Sequence, residues 1–131
     1  MDTNAKKILI IDDDEMILQS LASVFTKDGF EVITANDGDK GLEEALNKEP
    51  DAIITDIEMK NVSGMVVLGE VRKSGEWGKN VPIVLLTNFD ADDKIMKGIV
   101  EDQPSFYLLK SKVDPNKVLV KIKELFTQNK S

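Results

Sequence analysis

Four short apolar runs, each ending abruptly in a polar side chain, constrain this chain more than any other feature of its sequence. Lys7-Ile8-Leu9-Ile10-Ile11 breaks into Asp12-Asp13-Asp14, and Ala52-Ile53-Ile54-Thr55 breaks into Asp56. Val81-Pro82-Ile83-Val84-Leu85-Leu86 stops at Thr87, and Phe106-Tyr107-Leu108-Leu109 stops at Lys110. Continuous apolar runs this short read as strands covered on both faces, the habit of parallel sheets. In an open parallel sheet, ligands bind beyond the carboxyl ends of the strands, beside the point where strand order reverses. Asp12, Asp13, Asp56, Thr87 and Lys110 are therefore expected at one crevice. Clustered carboxylates repel one another, so such a crevice calls for a cation.

The segments between the runs carry helical signals. Behind Asp13 or Asp14 as N-cap, Ile17, Leu21, Val24 and Phe25 recur at helical spacing until Gly29. Glu31 to Ala35 adds a further short strand. Asn36-Asp37-Gly38 then leads into a helix with Leu42, Ala45 and Leu46 on one face, closed near Pro50. Gly64 opens a helix bearing Met65, Leu68 and Val71. Ser74 to Asn80 reads as a loop, which puts Trp77, the only tryptophan, against the end of the sheet opposite the acids. Asp90 to Val100 reads as a helix with Ile95, Met96 and Ile99 inward. Asp114-Pro115 supplies an N-cap and a first-turn proline for a closing helix that buries Val118, Ile122, Leu125 and Phe126.

Five strands and five helices in strict alternation predict right-handed crossovers and a three-layer α/β sandwich. A doubly wound parallel sheet of five strands favours the order 2-1-3-4-5. Its switch point lies between the first and third strands, those that end in Asp12-Asp13 and in Asp56. Neither a linker nor a repeat interrupts the pattern, so a single domain over residues 1–131 is expected, with its core from 6 to 126.

Composition removes several kinds of chemistry. The net charge of −7 disfavours nucleic acid as a direct partner, since phosphate binding needs a basic face. With no cysteine and no histidine, thiol and imidazole nucleophiles, bases and metal ligands are all excluded. Oxygen remains, which suits magnesium, manganese or calcium. No apolar stretch approaches a membrane span and the N-terminus lacks a signal-peptide core, so a cytoplasmic protein is expected.

Capping alone could explain one aspartate of Asp12-Asp13-Asp14, and Asp14 suits that role. It leaves the pairing of Asp12 and Asp13 with Asp56 unexplained. A carboxylate beside a bound divalent cation can attack phosphorus and form an aspartyl phosphate, which makes Asp56 a candidate nucleophile. Thr87 would offer a hydroxyl, and Lys110 a positive charge, to the phosphoryl oxygens. Alone, either residue would read as an ordinary strand threonine or a solvated lysine; facing two acidic strand ends, both acquire a use.

Taken together, Asp12-Asp13-Asp14-Glu15 after its strand, Asp56 after Ile-Ile-Thr, Thr87 after Ile-Val-Leu-Leu, and Tyr107-Leu-Leu-Lys110 resemble the signature set of response-regulator receiver domains. The resemblance runs from about Lys6 to Phe126. It implies a flavodoxin-like fold, and phosphorylation of Asp56 by a partner histidine kinase or phosphotransfer protein. It also implies Mg2+, replaceable by Mn2+, held by Asp12, Asp13, Asp56 and the backbone carbonyl of Glu58. By the same resemblance, Thr87 and Tyr107 are the pair that reorients on phosphorylation, and Lys110 contacts the phosphoryl group. A domain of this kind is a signalling switch that catalyses only its own phosphorylation and dephosphorylation. It would act through a downstream protein effector, with a phosphorylation-dependent homodimer as an assembly it permits, and no output domain is expected within residues 1–131.

The sequence departs from the family pattern at several points. The loop after the acceptor reads Met59-Lys60-Asn61-Val62-Ser63-Gly64, without the usual proline. Asn88 stands where a small residue is usual and is expected to crowd or hydrogen-bond the phosphoryl group, prolonging its lifetime. Ser111 replaces the proline that usually follows the lysine. A cis bond before serine would cost about 2.5–4 kcal/mol, so trans is expected there. Asp102-Gln103-Pro104-Ser105-Phe106 replaces the usual small and acidic stretch, which alters the output surface more than the acidic site. Two other readings compete. One is a binding module indifferent to phosphorylation, supported by Asn88 and Ser111. The other is a haloacid-dehalogenase-type phosphatase, mimicked by Asp12-x-Asp14, Thr87, Lys110 and Asp92-Asp93, but opposed by Glu15 and by an Asp56 left without a role.

Overall fold

The computed structural model describes residues 5–87, 106–109 and 114–128. Five strands appear there: β1 (Lys7–Ile11), β2 (Glu31–Ala35), β3 (Ala52–Asp56), β4 (Ile83–Thr87) and β5 (Phe106–Leu109). They form one sheet in the order β2-β1-β3-β4-β5, with each neighbouring pair parallel. The doubly wound order expected from the run pattern is the one found, with its reversal between β1 and β3.

The helices among the described residues are α1 (Glu15–Lys27), α2 (Gly38–Lys48), α3 (Gly64–Arg72), α4 (Glu76–Asn80) and α5 (Pro115–Gln128). Side chains alternate across β1, β3 and β4 and feed two separate cores. Ile8, Ile10, Ala52, Ile54, Val84 and Leu86 pack with Leu18, Leu21 and Phe25 of α1 and Val118, Ile122 and Leu125 of α5. Leu9, Ile11, Ile53, Ile83 and Leu85 pack with Ala45 of α2 and Val67, Leu68 and Val71 of α3. That is the three-layer sandwich.

Local signals set the helix ends. The Asp14 carboxylate accepts from the N–H groups of Met16 and Ile17 and caps α1. Asp37 caps α2 through the Lys40 N–H, and Ser63 caps α3 through the Val66 N–H. Asp114 accepts the Asn116 N–H at 2.9 Å ahead of α5. Gly29, at φ +96°, makes the turn that leaves α1.

Two expectations need correction, and a third is not reached. Residues 74–80 are not simply a loop: Glu76–Asn80 form α4, so two helices lie between β3 and β4 and the alternation is not strict. The Arg72 guanidinium supports this corner, donating to the carbonyls of Gly78 at 2.9 Å and Val81 at 2.7 Å. Burial pushes that guanidinium below its ordinary pKa. Leu46 is 43% exposed; α2 instead buries Gly38, Gly41 and Ala45. A Cβ at Gly41 would overlap the Ile11 side chain, so the helix lies too close to the sheet for larger residues on that stripe. The helix expected from Asp90 to Val100 lies outside the described residues.

Candidate acidic site at the strand ends

β1 and β3 pair in register up to Ile11 and Thr55, so Asp12 and Asp56 follow at matching positions. Asp12 is fully buried, Asp56 is 1% exposed, and Asp13 is exposed. One carboxylate oxygen from each of the three lies within 4.8 Å of the others. Two buried carboxylates and a third at their mouth form an all-oxygen donor set, the type preferred by hard divalent cations. Repulsion within the cluster falls when a cation enters, so these residues fit Mg2+ or Mn2+.

Backbone geometry aims these side chains. Asp12 Oδ1 accepts the Asp14 N–H at 2.9 Å, and the Asp12 N–H donates to Ala35 O at 3.1 Å. On the other side, Asp56 Oδ1 accepts the Glu58 N–H at 3.3 Å. The strand continues its ladder one residue past Asp56, where the Ile57 N–H donates to Leu86 O. Because Asp56 pairs with Leu86 in register, Thr87 ends the neighbouring strand at the same edge of the sheet, and it is 1% exposed.

The structure therefore brings together Asp12, Asp13, Asp56 and the Glu58 main chain, with Thr87 on the adjacent strand end. Tyr107 lies on β5, paired with Leu85. Lys110, Ser111, Asn88 and Asp102 to Ser105 lie outside the described residues. Asp14 is engaged as the α1 cap, which deprives the dehalogenase reading of its second aspartate.

Sequence reasoning missed what Gly64 does. A Cβ there would overlap the Asp56 carbonyl oxygen, and the Gly64 N–H donates to Ile57 O at 2.9 Å. The start of α3 thus rests directly on the backbone of Asp56. A glycine at the helix start, eight residues past the acid, was the only signal.

Comparison with known proteins agrees with this geometry. The family model of the response regulator receiver domain matches residues 8–123. The alkaline phosphatase synthesis transcriptional regulatory protein PhoP of Bacillus subtilis is 35% identical over 92 residues, 70% of this chain and 37% of PhoP. The CAI-1 autoinducer sensor kinase/phosphatase CqsS of Vibrio cholerae is 35% identical over 79 residues, 60% of this chain and 12% of CqsS. The chain thus spans well under half the length of these curated relatives. Among solved structures, a CheY-like receiver domain protein from Methanospirillum hungatei superposes with a TM-score of 0.86 at 27% identity, covering 97% of this chain and 98% of that one. Chemotaxis response regulator CheY4 of Vibrio cholerae superposes with a TM-score of 0.83 at 26% identity, covering 93% and 99%. With the acidic site at the switch point of a β2-β1-β3-β4-β5 sheet, this chain belongs to the response regulator receiver domain family of two-component signalling.

Proposed function

We propose that Asp56 accepts a phosphoryl group from a phosphohistidine of a histidine kinase or phosphotransfer protein, and that the phosphorylated chain signals to a downstream protein. The observation that carries this reading is the meeting of three carboxylates within 4.8 Å, two of them buried, at the sheet's switch point. In the transfer, an Asp56 oxygen forms a bond to phosphorus as the phosphorus–nitrogen bond breaks, and the imidazole leaves with a proton. A divalent cation, when bound, offsets the charge shared by the carboxylates and the phosphoryl oxygens.

The residues of the chain divide the remaining work. Asp12 and Asp13, with the Glu58 carbonyl, would hold Mg2+ or Mn2+ beside Asp56. The Glu58 N–H, donating to Asp56 Oδ1, steadies the carboxylate that would act as nucleophile. Thr87 would donate its hydroxyl to a phosphoryl oxygen, Lys110 would add positive charge, and Tyr107 would follow Thr87 in the switch. Dephosphorylation would use the same groups with water as the acceptor. The unit is one receiver domain with its core over residues 6–126, acting in the cytoplasm through protein partners. Among the described residues no helix is long and apolar enough to cross a membrane.

The test is chemical. Borohydride reduces an acyl phosphate to an alcohol, so protein treated with acetyl phosphate and Mg2+ and then reduced should carry homoserine at position 56. Homoserine at Asp12 or Asp13 instead would move the acceptor.

A further inference from the structure

The loop between β3 and α3, residues 57–63, carries Glu58 and ends against two glycines. Gly64 rests on the Asp56 carbonyl, as described above. Val62 meets a different element: a Cβ at Gly38, the first residue of α2, would overlap the Val62 carbonyl oxygen. It would also lie 2.8 Å from both the Val62 carbonyl carbon and the Val62 Cβ. Gly38 does not adopt a positive φ, so what it supplies is space and not conformational freedom. The start of α2 is itself anchored beside the other acid. The Asp12 N–H donates to Ala35 O at the end of β2, and Asp37 caps α2 through the Lys40 N–H at 2.8 Å. Only Asn36 separates the strand end from that cap. The corner between β2 and α2 therefore bridges the strand end that bears Asp12 and the loop that bears Glu58.

We propose that Gly38 is a positioning residue for the cation site, by letting α2 close on Val62 and so fixing the Glu58 main chain relative to Asp56. The proposal rests on the reading of Asp12, Asp13, Asp56 and the Glu58 carbonyl as the ligands. A methyl group at Gly38 forces two backbones apart by roughly 1 Å to restore van der Waals separation. The loop gives way more easily than the capped helix start, so the displacement falls on the segment that carries Glu58. Mg2+ tolerates such displacement poorly, because it demands near-ideal octahedral geometry, and Mn2+ at the same site would lose the same oxygen contact.

Mn2+ titration calorimetry and the backbone amide spectrum, applied to four proteins, decide the matter. Gly78→Ala is the control, because a Cβ at Gly78 would overlap the Val71 carbonyl oxygen, away from the acids. Gly38→Ala and Gly78→Ala should both lower the thermal midpoint. Only Gly38→Ala should weaken Mn2+ binding, by about tenfold, and shift the Glu58 amide resonance. Val62→Gly loosens the same contact without adding an atom to α2 and should also weaken binding. If wild type binds no Mn2+, the cation-site reading falls and this proposal with it. If wild type binds, Gly38 loses its role alone in any of three cases. These are wild-type affinity in Gly38→Ala, wild-type affinity in Val62→Gly where Gly38→Ala does not fold, or a Gly78→Ala loss equal to that of Gly38→Ala.

Discussion

Asp12 and Asp56 leave paired strands at matching positions, one fully buried and the other 1% exposed. Folding thus holds two carboxylates together out of water, which costs free energy unless charge or hydrogen bonds compensate. Backbone N–H groups of Asp14 and Glu58 supply part of the compensation. A bound cation would add to it by lowering the repulsion among the three carboxylates.

Removal of Asp13 separates metal binding from folding. Asp13 is exposed, and a like charge leaves the cluster with it. Asp13→Ala should abolish Mg2+ binding while the thermal midpoint in chelator stays unchanged or rises. Calorimetry and thermal melts check both halves; unchanged affinity would remove Asp13 from the ligand set.

Gly64→Ala tests the contact between α3 and Asp56. The added Cβ meets a backbone carbonyl that cannot rotate away. Overpacking of this kind costs roughly 1–3 kcal/mol, readable as a lower urea midpoint at unchanged slope.

Much of this was legible in the sequence, and the failures have physical causes. The strand ends could be read because a parallel strand buried on both faces needs an unbroken apolar run, and the break marks its end. The strand order followed from the element pattern and the known habits of doubly wound sheets. The short helix α4 was missed because five residues, Gly78 among them, span barely more than one turn and show no periodicity. Leu46 was misassigned because α2 buries glycine and alanine, and close approach to the sheet leaves no hydrophobic signature. The role of Gly64 depends on a carbonyl eight residues away, which no local pattern displays.

Trp77 lies on α4, and its indole N–H donates to Pro50 O at 2.7 Å, just before β3 begins. That is the end of β3 opposite Asp56, as the position of the run implied. Its emission should therefore not change when Mg2+ is added to the folded protein. Trp77→Phe should cost about 1–3 kcal/mol, because the part-buried Pro50 carbonyl loses its donor. Fluorescence titration and urea denaturation report the two effects separately.

Asp14→Ala removes the side-chain cap of α1 and should cost about 1 kcal/mol by denaturant titration. Mg2+ affinity should be retained, since the Asp14 side chain is spent on the N–H groups of Met16 and Ile17. A loss comparable to that of Asp13→Ala would mean that Asp14 also serves the cation.

The intact mass of the protein after incubation with acetyl phosphate tests the central claim most directly. Wild type with Mg2+ should gain a single phosphoryl group, and the same protein in chelator should gain almost none. Asp56→Asn with Mg2+ should gain none. Equal labelling of Asp56→Asn and wild type, or no labelling of wild type by any donor, would contradict the assignment of Asp56 as phosphoacceptor.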